Sequence, residues 1–169
     1  MDAPDEGVKT LEEAVVLAED SGALDALGTA LLLLHLVYMV RGEFDRSREH
    51  AERGAAIAKK TGDTDLLSMH TANLGLLHFY LGDWQEAQRY LELAVKLERS
   101  TQLSFFSSQP HTYLGMLYKA RGAWEDASRC FSEAVALARS MPYPYAEARL
   151  SCEYGMLHLR EKEPARARK

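Results

Sequence analysis

Six histidines and two cysteines are the residues of this 169-residue chain best able to ligate a metal or activate a nucleophile. A metal site needs several such ligands converging at short, regular spacings. His70 and His78 stand on one helical stretch with no carboxylate at ligand spacing, and His158 lies eighty positions beyond His78. Cys130 and Cys152 show neither metal-ligand spacing nor a disulfide framework, which fits thiols in a reducing compartment. Cys152 and His111 could approach across adjacent helices. A thiol–imidazole pair also needs an orienting group and an oxyanion site, and neither is present in the pattern. Glycines at Leu81–Gly82–Asp83 and Arg121–Gly122–Ala123 come singly rather than in the run that cradles a phosphate. The expectation is therefore a non-enzyme with no cofactor and no metal, its histidines satisfied by hydrogen bonds.

The elements carrying these residues repeat. LGDWQEA at 81–87 is preceded forty positions earlier by VRGEFDRS (Val40–Ser47) and followed forty later by ARGAWEDA (Ala120–Ala127). Gly42, Gly82 and Gly122 keep step with Phe44, Trp84 and Trp124. The same register aligns Gly75, Gly115 and Gly155 with His35 in the first copy. It also aligns Tyr38, His78, Tyr118 and His158, and sets Ala94 and Ala134 against Gly54 and Ala14. A period of this length marks an array of identical supersecondary units.

Each unit holds two helical patterns. Met69, Leu74, Leu77 and Leu81 recur at helical spacing, as do Trp84, Ala87, Leu91, Ala94 and Val95. Sparse β-branched residues argue against a β-propeller of similar period. Helices are expected near 6–20, 24–41, 44–60, 64–81, 84–100, 108–121, 124–140 and 144–161. Pro110 and Pro144 fall in first turns, where a missing amide hydrogen costs least. Gly82 suits a C-cap, and Asp83 with Glu86 forms a capping-box pattern. The mid-helix glycines at 75, 115 and 155 predict close helix–helix approach.

At this point Asn73–Leu97 (NLGLLHFYLGDWQEAQRYLELAVKL) resembles a tetratricopeptide repeat, through Leu74, Gly75, His78, Gly82, Trp84, Ala87, Leu91 and Ala94. Tyr113–Leu137 matches at Leu114, Gly115, Tyr118, Gly122, Trp124, Ala127, Phe131 and Ala134. The first copy departs from the pattern at His35, Ser47 and Gly54. The ordinary repeat spans about 34 residues, so this is a longer, forty-residue variant, similar to sensor arrays of large bacterial regulators.

The resemblance implies an all-α, right-handed superhelical solenoid of antiparallel helix pairs, with seven to eight helices. It implies one array over 1–169: a half repeat at 1–23, repeats at 24–63, 64–103 and 104–143, and a partial repeat at 144–169. It also places a concave apolar groove on the first helices, formed by Leu36, Met39, Met69, Leu76, Phe79, Tyr80, Thr112, Met116, Lys119, Arg149, Cys152, Met156, Leu159 and Arg160. Methionine adapts to irregular partners, which suits such a surface. The carboxylate clamp of chaperone-binding relatives is not expected, because Ala72, Leu76, Thr112 and Met116 hold no charge there and Asn73 is the sole polar match. Two functions follow from the resemblance. The first is a scaffold that binds a peptide or helix in the groove. The second is an effector-sensing or interdomain segment of a bacterial regulatory ATPase or transcription activator.

Composition agrees with a protein partner. A formal charge of −5 argues against general nucleic-acid binding. The longest apolar run, Ala30–Leu34, is too short to span a membrane, and the acidic amino terminus lacks a leader pattern, so a cytoplasmic location is expected. The array begins and ends in mid-unit, which suggests a piece cut from a longer protein. Apolar flanks at its ends, Leu11, Val15 and Leu17 among them, would then drive weak homodimerisation.

Overall fold

Five glycines with positive φ, Gly22, Gly42, Gly62, Gly82 and Gly122, stand at the helix junctions. A computed structural model describes residues 3–99 and 107–140. Its helices are α1 (Ala3–Ser21), α2 (Leu24–Val40), α3 (Phe44–Thr61), α4 (Thr64–Tyr80), α5 (Trp84–Glu98), α6 (Ser108–Arg121) and α7 (Trp124–Arg139). The first seven expected helices are thus present with ends shifted by up to three residues. The eighth lies outside the described residues.

At the end of α2 the chain turns through Gly42 at φ +75°. The Gly42 N–H donates to Met39 O at 3.1 Å and the Glu43 N–H to Tyr38 O at 2.9 Å. The turn after α4 is the same, with Gly82 bonded to Phe79 O and Asp83 to His78 O. Only a residue without a Cβ enters this left-handed conformation cheaply. Each turn consumes the last carbonyls of one helix and starts the next four residues later, at Phe44 and at Trp84.

The expected capping box forms only by half. Asp83 Oδ1 accepts from the Glu86 N–H at 3.4 Å. The Glu86 carboxylate, however, takes the Arg89 guanidinium, with contacts down to 2.6 Å, which holds its carboxyl below the usual range. The reciprocal donor, the Asp83 N–H, is already spent on His78 O, so Glu86 has nothing to reach back for. Asp63 caps α4 more tightly, at 2.9 Å to the Leu66 N–H. Asp63→Ala should therefore cost about 1 kcal/mol, a typical capping loss. Asp83→Ala should cost measurably less in the same denaturation series.

The chain divides into two units, Met1–Ser100 with α1 to α5 and Thr101–Lys169 with α6 and α7 among its described residues. In the first, α2 packs on α1, α3 and α4, and α4 packs on α3 and α5. α2 and α4 bury residues nearly all round because they are covered on several sides. α3 and α5 bury one stripe and expose the rest. Val8, Val15 and Ala18 of α1 join Leu27, Leu31, Leu34 and Tyr38 of α2 in one core, with Leu11 packed against it. Val15 is thus buried rather than forming an exposed flank; of the three flank residues near the start, only Leu17 is exposed. In the second unit Phe131 and Ala127 of α7 form a core with Met116 and Tyr118 of α6.

Candidate functional site

The mid-helix glycines do permit close approach. A Cβ on Gly75 would lie 2.6 Å from Leu91 Cγ, and one on Gly115 would lie 2.9 Å from Phe131 Cε1. In the first copy the register reverses the sizes: His35 replaces the glycine, and Ala51 stands where Leu91 and Phe131 do. Bulk on one helix meets absence of bulk on its neighbour, as close packing requires.

His35 is completely buried. Its Nδ1 lies 3.0 Å from Ser47 O and 2.9 Å from Ser47 Oγ, while Ser47 Oγ donates to His35 O at 3.1 Å. A carbonyl only accepts, so Nδ1 carries a proton, and burial disfavours a second one on the ring. His70 fills a second notch, cut by Gly54 on α3. Its ring occupies the place a Cβ of Gly54 would take, and its Nε2 donates to Gly28 O at 3.2 Å. Burial, reinforced by the neighbouring His35 and opposed by the Gly28 bond, pushes the His70 pKa down to about 4. Burial likewise lowers His35. The three departures of the first copy are therefore matched in the fold, His35 with Ser47 and Gly54 with His70.

The remaining described histidines also serve the scaffold. Tyr38 stacks on His50 with ring centroids 5.3 Å apart at 10°, and His78 stacks on Tyr90 at 5.3 Å and 14°. Tyr38 and His78 share one register position, and His50 and Tyr90 share another, so the stack is kept while its members change places. His78 Nδ1 lies 3.3 Å from Asp83, and His111 Nδ1 lies 2.9 Å from Glu133. Among the described residues no group of three or more His, Cys, Asp or Glu is arranged to hold a metal ion. No described helix is long and apolar enough to cross a membrane.

Surface apolarity is concentrated elsewhere. Met39 and Val40 at the end of α2, Phe44 at the start of α3 and Tyr80 at the end of α4 line a cavity of about 260 Å³. The Gly42 turn folds Phe44 back beside Met39, and the α2–α4 contact brings in Tyr80 from forty residues away. Val40 is 87% exposed and Tyr80 55%, and Leu81 and Trp84 nearby are also exposed. Of the groove residues expected in this unit, Met39, Tyr80 and the half-buried Leu36 and Phe79 reach the surface. Met69 and Leu76 are buried. In the second unit Met116 and Lys119 are half-buried and Thr112 is buried. Arg149, Cys152, Met156, Leu159 and Arg160 lie outside the described residues. Val40 is among the groove positions expected on the first helix of its pair, whereas Phe44 was absent from that set because its role depends on the turn geometry, although the recurring aromatic after each glycine was a signal for it.

Antiparallel helix pairs joined by left-handed glycine turns, and packed in a recurring register, define an all-α helical-repeat protein. The sequence model of the tetratricopeptide repeat matches residues 26–100. That of anaphase-promoting complex subunit 5 matches 1–43 and 101–142, segments containing α1–α2 and α6–α7. Residues 26–100 are tetratricopeptide repeats, and the fold of the chain is that of such a helical-repeat array. No curated protein matches the chain. Among solved structures it resembles BtubC (BKLC) from P. vanneervenii, with 20% identity and a TM-score of 0.77 over 95% of this chain and 68% of that one. The TPR-like repeats of a putative kinesin light chain from Podosopora anserina give 19% and 0.66 over 98% and 82%. Apo RapI gives 15% and 0.68 over 92% and 41%. At these identities the likeness is one of fold.

Proposed function

We propose that this protein is a non-catalytic interaction scaffold that takes a bulky apolar side chain of a peptide or helix into the Met39–Val40–Phe44–Tyr80 pocket. The observation that carries this reading is the pocket itself: four apolar side chains from three helices, two of them more than half exposed. An exposed apolar cluster of this kind usually marks a binding surface. A cavity of about 260 Å³ suits one anchor residue, whose burial contributes roughly 1.5–3 kcal/mol. Two supports lie outside the pocket: the tetratricopeptide repeat match over residues 26–100, and a matching sequence model named for a subunit of a multiprotein complex.

Peptides selected from a random display library against the whole chain test the reading. They should share a leucine, phenylalanine or tryptophan anchor and lose roughly tenfold or more in affinity against Val40→Asp or Tyr80→Ser, the size of one hot-spot loss. Both positions are exposed, so the variants should keep the wild-type circular dichroism and melting temperature. Selected peptides that bind the two variants as tightly as wild type would place recognition elsewhere.

A further inference from the structure

The pocket straddles a seam in the first unit. Met39, Val40 and Phe44 belong to α2 and α3, whereas Tyr80 comes from α4, beyond the turn at Gly62. The residues that α3 buries are Ser47, Ala51, Gly54 and Ala58, all small, so α3 holds the seam with little apolar area. Against it stands His70 of α4, completely buried. Its ring fills the space left by Gly54 on α3, and its Nε2 donates to Gly28 O of α2. Its Nδ1 has no hydrogen-bond partner. One imidazole thus joins α4 to both helices of the preceding pair, and does so in its neutral form.

We propose that protonation of His70 opens this seam, so that α4 and α5 part from α1 to α3 and the pocket is divided between them. The second proton goes to Nδ1, where the ring needs an acceptor and has none. Nothing nearby offsets its charge. α3 meets the ring at Gly54, α2 presents the Gly28 carbonyl and His35, itself a base, and α5 supplies no titratable group. His35 in turn faces Ser47 and His50 of α3, neither of which is acidic. A buried cation without a partner is strongly disfavoured, which holds the folded ring near 4. In the open seam the ring returns to water and titrates near 6.5. The open state therefore gains about tenfold per pH unit below 6.5, and roughly 30-fold between pH 7.5 and 5. The His35–Ser47 bonds join α2 to α3 on one side of the seam, so they do not resist its opening. The consequence for binding rests on the pocket reading above. A guest that touches Tyr80 together with Met39 or Phe44 binds the closed seam and opposes the proton.

Thiol labelling of the full chain tests this. Thr71→Cys puts a reporter at a buried position beside His70, and Ala30→Cys puts one in the α1–α2 core. Mass spectrometry separates their labels from those on Cys130 and Cys152, and rates at each pH are normalised to the urea-unfolded chain. From pH 7.5 to 5, labelling at position 71 should rise roughly 30-fold, and at position 30 far less. Two variants without the imidazole should flatten the rise. One is His70→Leu; the other joins Gly54→Ala to His70→Ala and so copies Ala14 and Ala30 at the same register positions. Equal labelling at both pH values overturns the proposal, as does a slope kept in both variants. A parallel rise at positions 30 and 71 overturns it too, because the whole unit would then be unfolding. A selected peptide that is lost with Val40→Asp, held at ten times its Kd, should slow labelling at position 71 about tenfold. Undiminished labelling would overturn the division of the pocket. Selected peptides indifferent to Val40→Asp would sink the pocket reading alone, since the comparison of the two thiols needs no ligand.

Discussion

Gly115→Leu should destabilise the second unit by about 3 kcal/mol, the upper part of the range for overpacked cores. Even a bare Cβ at this position would lie 2.9–3.1 Å from three atoms of the Phe131 ring. That ring is completely buried in the α6–α7 core, so it has little room to retreat. A leucine adds three more carbons in the same direction. The register supplies a specific rescue. Where α2 carries the bulky His35, α3 carries Ala51, so Phe131→Ala placed beside Gly115→Leu should recover a substantial part of the loss. Phe131→Ala alone should cost about 3–5 kcal/mol, as deletion of a buried aromatic does. A strongly favourable coupling in the double-mutant cycle would confirm the size rule. Additive losses would show that the two positions do not exchange bulk, and a Gly115→Leu melt equal to wild type would show that the contact is absent in solution.

Acid should weaken the first unit through His70. In the unfolded chain its imidazole titrates near 6.5, whereas in the folded chain burial holds it near 4. Above pH 6.5 both states are neutral and the full stability is present. As the pH falls below 6.5 the unfolded chain takes up a proton that the folded chain refuses, so stability is lost progressively down to about pH 4 and then levels off. The difference of some 2.5 pKa units corresponds to roughly 3 kcal/mol at the acid end. His35, lowered by the same cause, adds to the slope in the same direction. Carboxylates titrate over part of this window, so the His70 share is read by difference. Urea midpoints between pH 7.5 and 4.5 should fall less steeply in His70→Leu than in wild type. Parallel slopes would mean that the ring is hydrated or already protonated in the native state.

Helix positions were legible in the linear order because they depend on local rules. Glycine at 42, 82 and 122 ends a helix wherever it stands, since the left-handed turn needs no distant contact. Asp63 and Asp83 cap the helix that follows them for the same reason. Apolar residues at helical spacing marked which face each of α3, α5 and α7 would bury, and Ala87, Leu91 and Ala94 are indeed buried. The forty-residue register then carried these assignments from copy to copy.

The groove residues show where that legibility stops. Met69, Leu76 and Met39 share the apolar type that suggested a binding surface, yet Met69 and Leu76 are buried and Met39 lines the pocket. Residue type alone cannot separate them, because a helix covered on several sides buries apolar residues on more than one face. The His50–Tyr90 register position was likewise silent. Neither residue announces a stack until Tyr38 and His78 are seen against them.

His35, Ser47 and Gly54 read in sequence as lapses from the repeat. In the folded chain Ser47 bonds the buried His35 ring, and Gly54 leaves the space that the His70 ring occupies from sixteen residues away. Propensity, capping and periodicity act over a few neighbours and are written into the linear order, whereas the fit of a ring into a glycine notch depends on which helices meet. Close packing makes that fit a property of the pair rather than of either residue, so it became visible only once α2, α3 and α4 were assembled.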